Sequence, residues 1–179
     1  LGDVYKRQVH ITAHLSLRDA VAAVRTDRIA RSIHIGWDAL LRLGIKRPRI
    51  AVAGLNPHAG EAGAFGREEI EQIAPAIAQC RAKGIESSGP YPPDTVFARM
   101  RDGAFDMVIA MFHDQGHIPL KLVAMDTGVN VTLGIPIVRT SVDHGTAFDI
   151  AGKGVAREHS LCAAIALAAR FAQAPETQA

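Results

Sequence analysis

The sequence predicts an α/β domain, and three observations carry that prediction. Short, β-branched apolar runs at 49–53, 107–111 and 129–133 read as buried strands. Helix-periodic stretches lie between them; the clearest opens at Thr26, carries Ile29, Ile33, Trp37, Leu40 and Leu41 on one face, and stops at Gly44. Each strand then runs into polar, glycine-containing sequence, and in α/β proteins ligands bind beyond strand ends. At 179 residues the chain is long enough for one domain with a real core.

The totals narrow the function classes. Lys and Arg number 20 against 18 Asp and Glu, for a net charge of +2, and the basic residues are scattered, so nucleic acid is not the indicated partner. Cys80 and Cys162 sit in helix-like patterns without CxxC or Cys/His spacing and read as buried, reduced thiols, a usage that fits a reducing cytoplasm. The longest apolar run, 161–169, ends at Arg170 and falls well short of the roughly 20 residues of a membrane span. Residues 1–8 show no periodicity and read as a cloning or sequencing remnant, with the native pattern over 9–179 entered mid-strand and a preceding portion of the fold expected to be missing.

Taken in order, 9–13 is the end of a strand that delivers His14 to a loop, and Ser16 caps a short helix through Val24. His34 and Trp37 on the next helix read as packing. The strand at 49–53 enters a loop with four glycines, Gly54, Gly60, Gly63 and Gly66, and with Asn56 and His58 between them. Its spacing is neither a Walker A loop nor a dinucleotide fingerprint, yet it is rich in donors for an inert turn. A helix over 67–83, kinked at Pro75, is scaffold. Gly-Pro-Tyr-Pro-Pro at 89–93 is expected to be a stiff connector outside regular structure. Asp94 then reads equally as the start of a helix cap or as a group for chemistry. The chain closes with a helix over 157–173 that turns Leu161, Ile165, Leu167 and Phe171 inward.

Two constellations emerge. His14, His58 and His113 each stand just beyond a predicted strand, so neighbouring strands would bring three imidazoles to one sheet edge, the donor set of a catalytic zinc or other divalent ion. Lys121, Asn130 and Arg139 lie within apolar sequence, where an unpaired charge is costly, and are expected to form a buried site for phosphate or carboxylate.

Five segments in order carry a resemblance: Asn-Pro-His-Ala-Gly-Glu at 56–61, Gly-Pro-Tyr-Pro-Pro-Asp-Thr at 89–95, His-Asp-Gln-Gly at 113–116, Gly-Val-Asn-Val-Thr-Leu-Gly at 128–134 and Arg-Thr-Ser-Val-Asp-His-Gly-Thr at 139–146. Together they closely resemble the C-terminal half of the 4-hydroxythreonine-4-phosphate dehydrogenase family, NAD-dependent enzymes of pyridoxal phosphate biosynthesis. His-Gly-Thr-Ala at 144–147 and Asp-Ile-Ala-Gly-Lys-Gly at 149–154 also look like the adenosine-binding loop of isocitrate and isopropylmalate dehydrogenases. The resemblance implies that broader fold, a central mixed sheet flanked by helices.

It further implies that His14, His58 and His113 match metal ligands drawn from both subunits of a homodimer. Zinc is the expected metal, with magnesium or cobalt as alternatives. Lys121, Asn130 and Arg139 match substrate contacts, His144, Gly145 and Thr146 would lie along NAD, and Asp94 is the candidate for proton transfer. The expected reaction is oxidation of a phosphorylated hydroxy acid with decarboxylation. His117 and Ile118 look more like a branch acting on 4-phospho-D-threonate or 4-phospho-D-erythronate. A truncated, non-catalytic piece and a metal-dependent hydrolase are the competing readings.

Overall fold

A computed structural model describes residues 7–124 and 127–174. The chain runs β1 (Gln8–His10), α1 (Leu17–Ala22), α2 (Thr26–Arg42), β2 (Ile50–Ala53), α3 (Ala74–Ala82), β3 (Ser87–Tyr91), α4 (Pro93–Arg101), β4 (Met107–Ala110), α5 (His113–Ala124), β5 (Val129–Thr132), β6 (Arg139–Val142) and α6 (His159–Gln173). Gln8, within the stretch set apart at 1–8, pairs with Val108, and amides of Ile11 and Thr12 continue the pairing to the carbonyls of Ala110 and Met111. Residues 1–6 lie outside the described residues.

The central sheet has the order β1-β4-β2-β3 and every pairing in it is parallel. Antiparallel pairing is confined to a separate hairpin, β5-β6, so the expected mixed sheet resolves into two. Strands β2 and β4 are buried along their whole length, as central parallel strands covered on both faces must be. Side chains alternate across them. Ile50, Val52 and Ile109 join Ile29, Ile33 and Leu40 of α2 on one face, while Ala51, Ala53 and Val108 meet Val96, Met100 and Phe105 on the other.

Several elements differ from expectation. Residues 89–91 belong to β3, which forms the sheet's edge and there tolerates Pro90, because no ladder partner needs its missing N–H; the register to β2 shifts at this point. Pro75 does mark a change of winding, since a π-helical turn at Glu69–Ile73 gives way there to α3. On α6 the inward residues are Ser160, Ala164 and Phe171, whereas Leu161 and Ile165 are exposed. Cys80 is buried and Cys162 is exposed, so only the first thiol is the small core hydrophobe expected of both. His34 is an exposed side chain facing Asp38 across one helical turn, while Trp37 packs on the core. Among the described residues no helix is long and apolar enough to cross a membrane.

Candidate active site

Strands β1, β4 and β2 are neighbours and parallel, so their C-terminal ends share one edge of the sheet. His14, His113 and His58 follow those three ends. The edge is tied together by Gln115: its side-chain oxygen accepts from the Met111 amide at 2.7 Å, and its nitrogen donates to the Gly54 carbonyl at 2.8 Å. One amide thus fixes the ends of β4 and β2, which lead to His113 and His58.

His113 opens α5, and its Nδ1 is 2.6 Å from Asp114 Oδ1. That contact engages one ring nitrogen and leaves Nε2 for a ligand, the arrangement in which a carboxylate orients a metal-binding imidazole. The His14 ring lies 5.8 Å away, tilted by 43°. His117, one turn further along α5, stacks on His113 at 4.0 Å and 6°, and His10 of β1 stacks on His117 at 4.5 Å and 21°. Lone pairs of stacked, parallel imidazoles point along parallel planes and do not converge. His117 therefore supports His113 rather than sharing an ion with it, whereas the tilted His14 can share one.

Burial pushes His10 down to about 4, helped by its neighbours His117 and His113, and its buried Nε2 has no hydrogen-bond partner among the described residues. Burial and His113 also lower His117, against the opposing pull of Asp143, whose carboxylate is 3.7 Å from His117 Nε2. Sequence reading passes over His10. Its spacing carries no signal until β1 and α5 are known to pack together.

His58 lies on a different wall. It belongs to the turn Pro57–Gly63, in which His58, Ala59, Gly60, Glu61 and Ala62 all have left-handed backbone angles. With Asp94, Phe97, Asp114, Gln115 and Ile118 it lines a cleft of about 660 Å³. Asp94 is exposed in the first turn of α4, whose N-cap is Pro92, so the capping alternative for Asp94 falls away. The structure brings His14 and His113 together and places His58 and Asp94 on the lining of one cleft. Among the described residues it does not gather three His, Cys, Asp or Glu side chains into a set that could hold a metal.

The residues expected to form an anion site are not buried within this chain. Lys121, Asn130 and Arg139 are exposed, because the apolar residues beside them are exposed too: Leu122 is 81% and Ile137 64% accessible. Asn130 lies on β5 and Arg139 opens β6, where its guanidinium donates to Thr132 Oγ1 at 2.7 Å. His144, Gly145 and Thr146 form an exposed loop after β6.

Comparison with known proteins follows the same lines. The family described as pyridoxal phosphate biosynthetic protein PdxA matches residues 6–168. The D-threonate 4-phosphate dehydrogenase of Cupriavidus necator is 52% identical over 93% of this chain and 50% of its own length. The 4-hydroxythreonine-4-phosphate dehydrogenase of Beijerinckia indica is 54% identical over 92% and 49%. Among solved structures, the 4-hydroxythreonine-4-phosphate dehydrogenase of Klebsiella pneumoniae superposes with a TM-score of 0.87 at 54% identity, covering 97% of this chain and 52% of that one. A terephthalate 1,2-cis-dihydrodiol dehydrogenase of Burkholderia xenovorans gives 0.77 at 35%, covering 93% and 53%. The chain spans about half the length of the curated relatives it matches. With a matching family model over most of its length, and relatives identical at more than half of the aligned positions, this chain belongs to the PdxA family.

Proposed function

We propose that the chain is part of an NAD-dependent dehydrogenase of a phosphorylated hydroxy acid, with 4-hydroxythreonine 4-phosphate the leading substrate and 2-amino-3-oxo-4-phosphooxybutanoate its immediate product before carbon dioxide is lost. The observation that carries this reading is the shared edge of β1, β4 and β2, from which His14, His113 and His58 all follow. The names of the relatives support the substrate class. They also favour a second substrate, 4-phospho-D-threonate, because relatives of both names match about equally well; its erythronate isomer is a further candidate of the same chemistry.

The donors fit a divalent metal in part. His113 offers Nε2 with its other nitrogen held by Asp114, and His14 is close enough to join it. We propose that the three-histidine set is completed between two copies of the chain, with zinc as the first metal to test. When bound, the cation would stabilise developing charge on the substrate alcohol and NAD would accept the hydride; lowering a water's pKa from 15.7 to about 7, as a catalytic zinc does, sets an upper bound of roughly 12 kcal/mol on the first effect.

The remaining steps fall to the chain's own side chains. Lys121 and Arg139 would bind the substrate's anionic groups and Asn130 would orient them. The 144–146 loop would lie along the adenosine of NAD in an isocitrate dehydrogenase-like arrangement. Asp94, which lines the same cleft as His58, would take the alcohol proton, a role contributing about 10² to 10⁴ in rate.

The test is turnover of both phosphorylated acids with NAD, alongside metal content and solution mass. A dimer with about one zinc per chain, whose His58→Ala variant stays folded but loses turnover, is the expected result. Full activity in His58→Ala would remove the metal assignment. Absence of NAD binding would favour metal-dependent hydrolysis, and a metal-free monomer without turnover would favour a non-catalytic piece.

A further inference from the structure

We propose that Glu69 is the positioning residue for His58: its buried carboxylate winds the left-handed turn and so sets where the imidazole stands. The inference rests on the reading of His58 as a metal ligand, and deepens it.

Four of the five left-handed residues, His58, Ala59, Glu61 and Ala62, carry a Cβ. Consecutive L residues avoid this conformation because the Cβ crowds the following carbonyl. Such a run persists only where its surroundings over-determine it. The turn is wound by i→i+3 bonds, whose geometry is poorer than an α-helix's, and the bonds that join it to its flanks are long: Ala59 to Asn56 at 3.2 Å, Ala64 to Glu61 at 3.1 Å and Phe65 to Gly60 at 3.2 Å. Shorter bonds come from outside.

Glu69 is 3% exposed. Its Oε1 accepts the backbone amides of Leu55 at 2.7 Å and Asn56 at 2.8 Å, which lead into the turn. Its Oε2 accepts Asn56 Nδ2 at 2.9 Å, and the same Asn56 nitrogen donates to Glu68 Oε2 at 2.7 Å. The turn closes tightly over the carboxylate. A Cβ on Gly60, whose φ is +81°, would stand 2.6 Å from Glu69 Oε2. All three groups bonded to Glu69 are donors, so the site needs an acceptor at both oxygens. Glutamine supplies one acceptor and one donor. If its oxygen kept the two backbone amides, its nitrogen would face Asn56 Nδ2, donor against donor.

Glu69 does not line the cleft, and His58 does. A buried acid held entirely by the approach to a ligand-bearing turn acts through that turn, as the groups behind metal-bound histidines do.

The experiment compares Glu69→Gln, His58→Ala and the surface control Glu71→Gln, whose exposed side chain pairs with Arg67. Two quantities are read: the amide–Hα couplings of 58–62 with their intraresidue amide–Hα NOEs, which together report positive φ, and zinc affinity. Glu69→Gln is expected to lose the left-handed couplings and about 10- to 100-fold in zinc affinity, while signals from β2, β4 and α2 stay in place. Glu71→Gln is expected to match the parent in both. Retained couplings in Glu69→Gln overturn the proposal, as does unchanged zinc affinity in Glu69→Gln when His58→Ala weakens binding. If His58→Ala leaves zinc affinity unchanged, the metal reading fails, and the couplings alone decide whether Glu69 winds the turn. Should Glu69→Gln not fold, Asn56→Ala, which removes the donor to Oε2 and spares the backbone amides, is judged by the same two readouts.

Discussion

His117 lies flat against His113, with ring centroids 4.0 Å apart and planes within 6°. The stack leaves His113 little freedom to tilt, and Asp114 holds its Nδ1 from another side. If His113 ligates zinc, His117→Ala is expected to weaken zinc about 10-fold, the lower end of what orienting neighbours contribute. His117→Phe keeps a flat ring in place and is expected to lose much less. Competition titration against a chelator measures both, and equal losses in the two variants would mean that the nitrogen of His117, not its stacking, matters.

Burial of His10 predicts a specific acid sensitivity. Its folded value is depressed to about 4 from the ordinary 6.5 of histidine. As pH falls through 6.5 the unfolded chain takes up a proton first, so stability present above that pH is lost progressively down to about 4. The loss from this group is roughly 3 kcal/mol at most. His10→Phe, which needs no proton, is expected to show a shallower decline over that window in urea melts at successive pH values. Parallel profiles for the two proteins would remove His10 as the cause.

Core and surface should separate cleanly. Ile109 is wholly buried at the middle of β4, and Ile109→Ala is expected to cost roughly 2 to 5 kcal/mol through lost transfer energy and the cavity left behind. Leu122 is 81% exposed on α5. Leu122→Ala is expected to change the chain's stability by no more than about 0.5 kcal/mol. Denaturant midpoints for both variants check this, and a large loss in Leu122→Ala would show that another surface covers that side chain.

Much of this arrangement is legible in the sequence. Apolar periodicity finds α2, β2 and β4, and strand ends point to His14, His58 and His113, because a two-faced parallel strand and an amphipathic helix write simple patterns. Other parts leave no such pattern. Helix α5 carries Gly116 and an internal Pro119, both poor helix formers, so no helical pattern announces it. The backbone of the Pro57–Gly63 turn is held by Glu69, a residue beyond the turn, so local propensity cannot show it. The burial expected for Lys121, Asn130 and Arg139 is not met within this chain, because apolar sequence neighbours mark a buried site only when they are themselves covered.

Gln115 offers the sharpest test of how the sheet edge is held. Its oxygen accepts from Met111 and its nitrogen donates to Gly54, so both ends of one side chain satisfy backbone groups on different strands. Gln115→Ala orphans both and is expected to cost roughly 1 to 3 kcal/mol. Gln115→Glu is nearly isosteric and keeps an acceptor for Met111, but turns a carboxylate oxygen toward the Gly54 carbonyl. A model based on size alone would have it cost little. The hydrogen-bond geometry instead predicts a loss at neutral pH at least as large as that of Gln115→Ala, because acceptor now faces acceptor. Urea unfolding of the two variants decides it, and a near-parental Gln115→Glu would mean that only the bond to Met111 holds the strand ends in place.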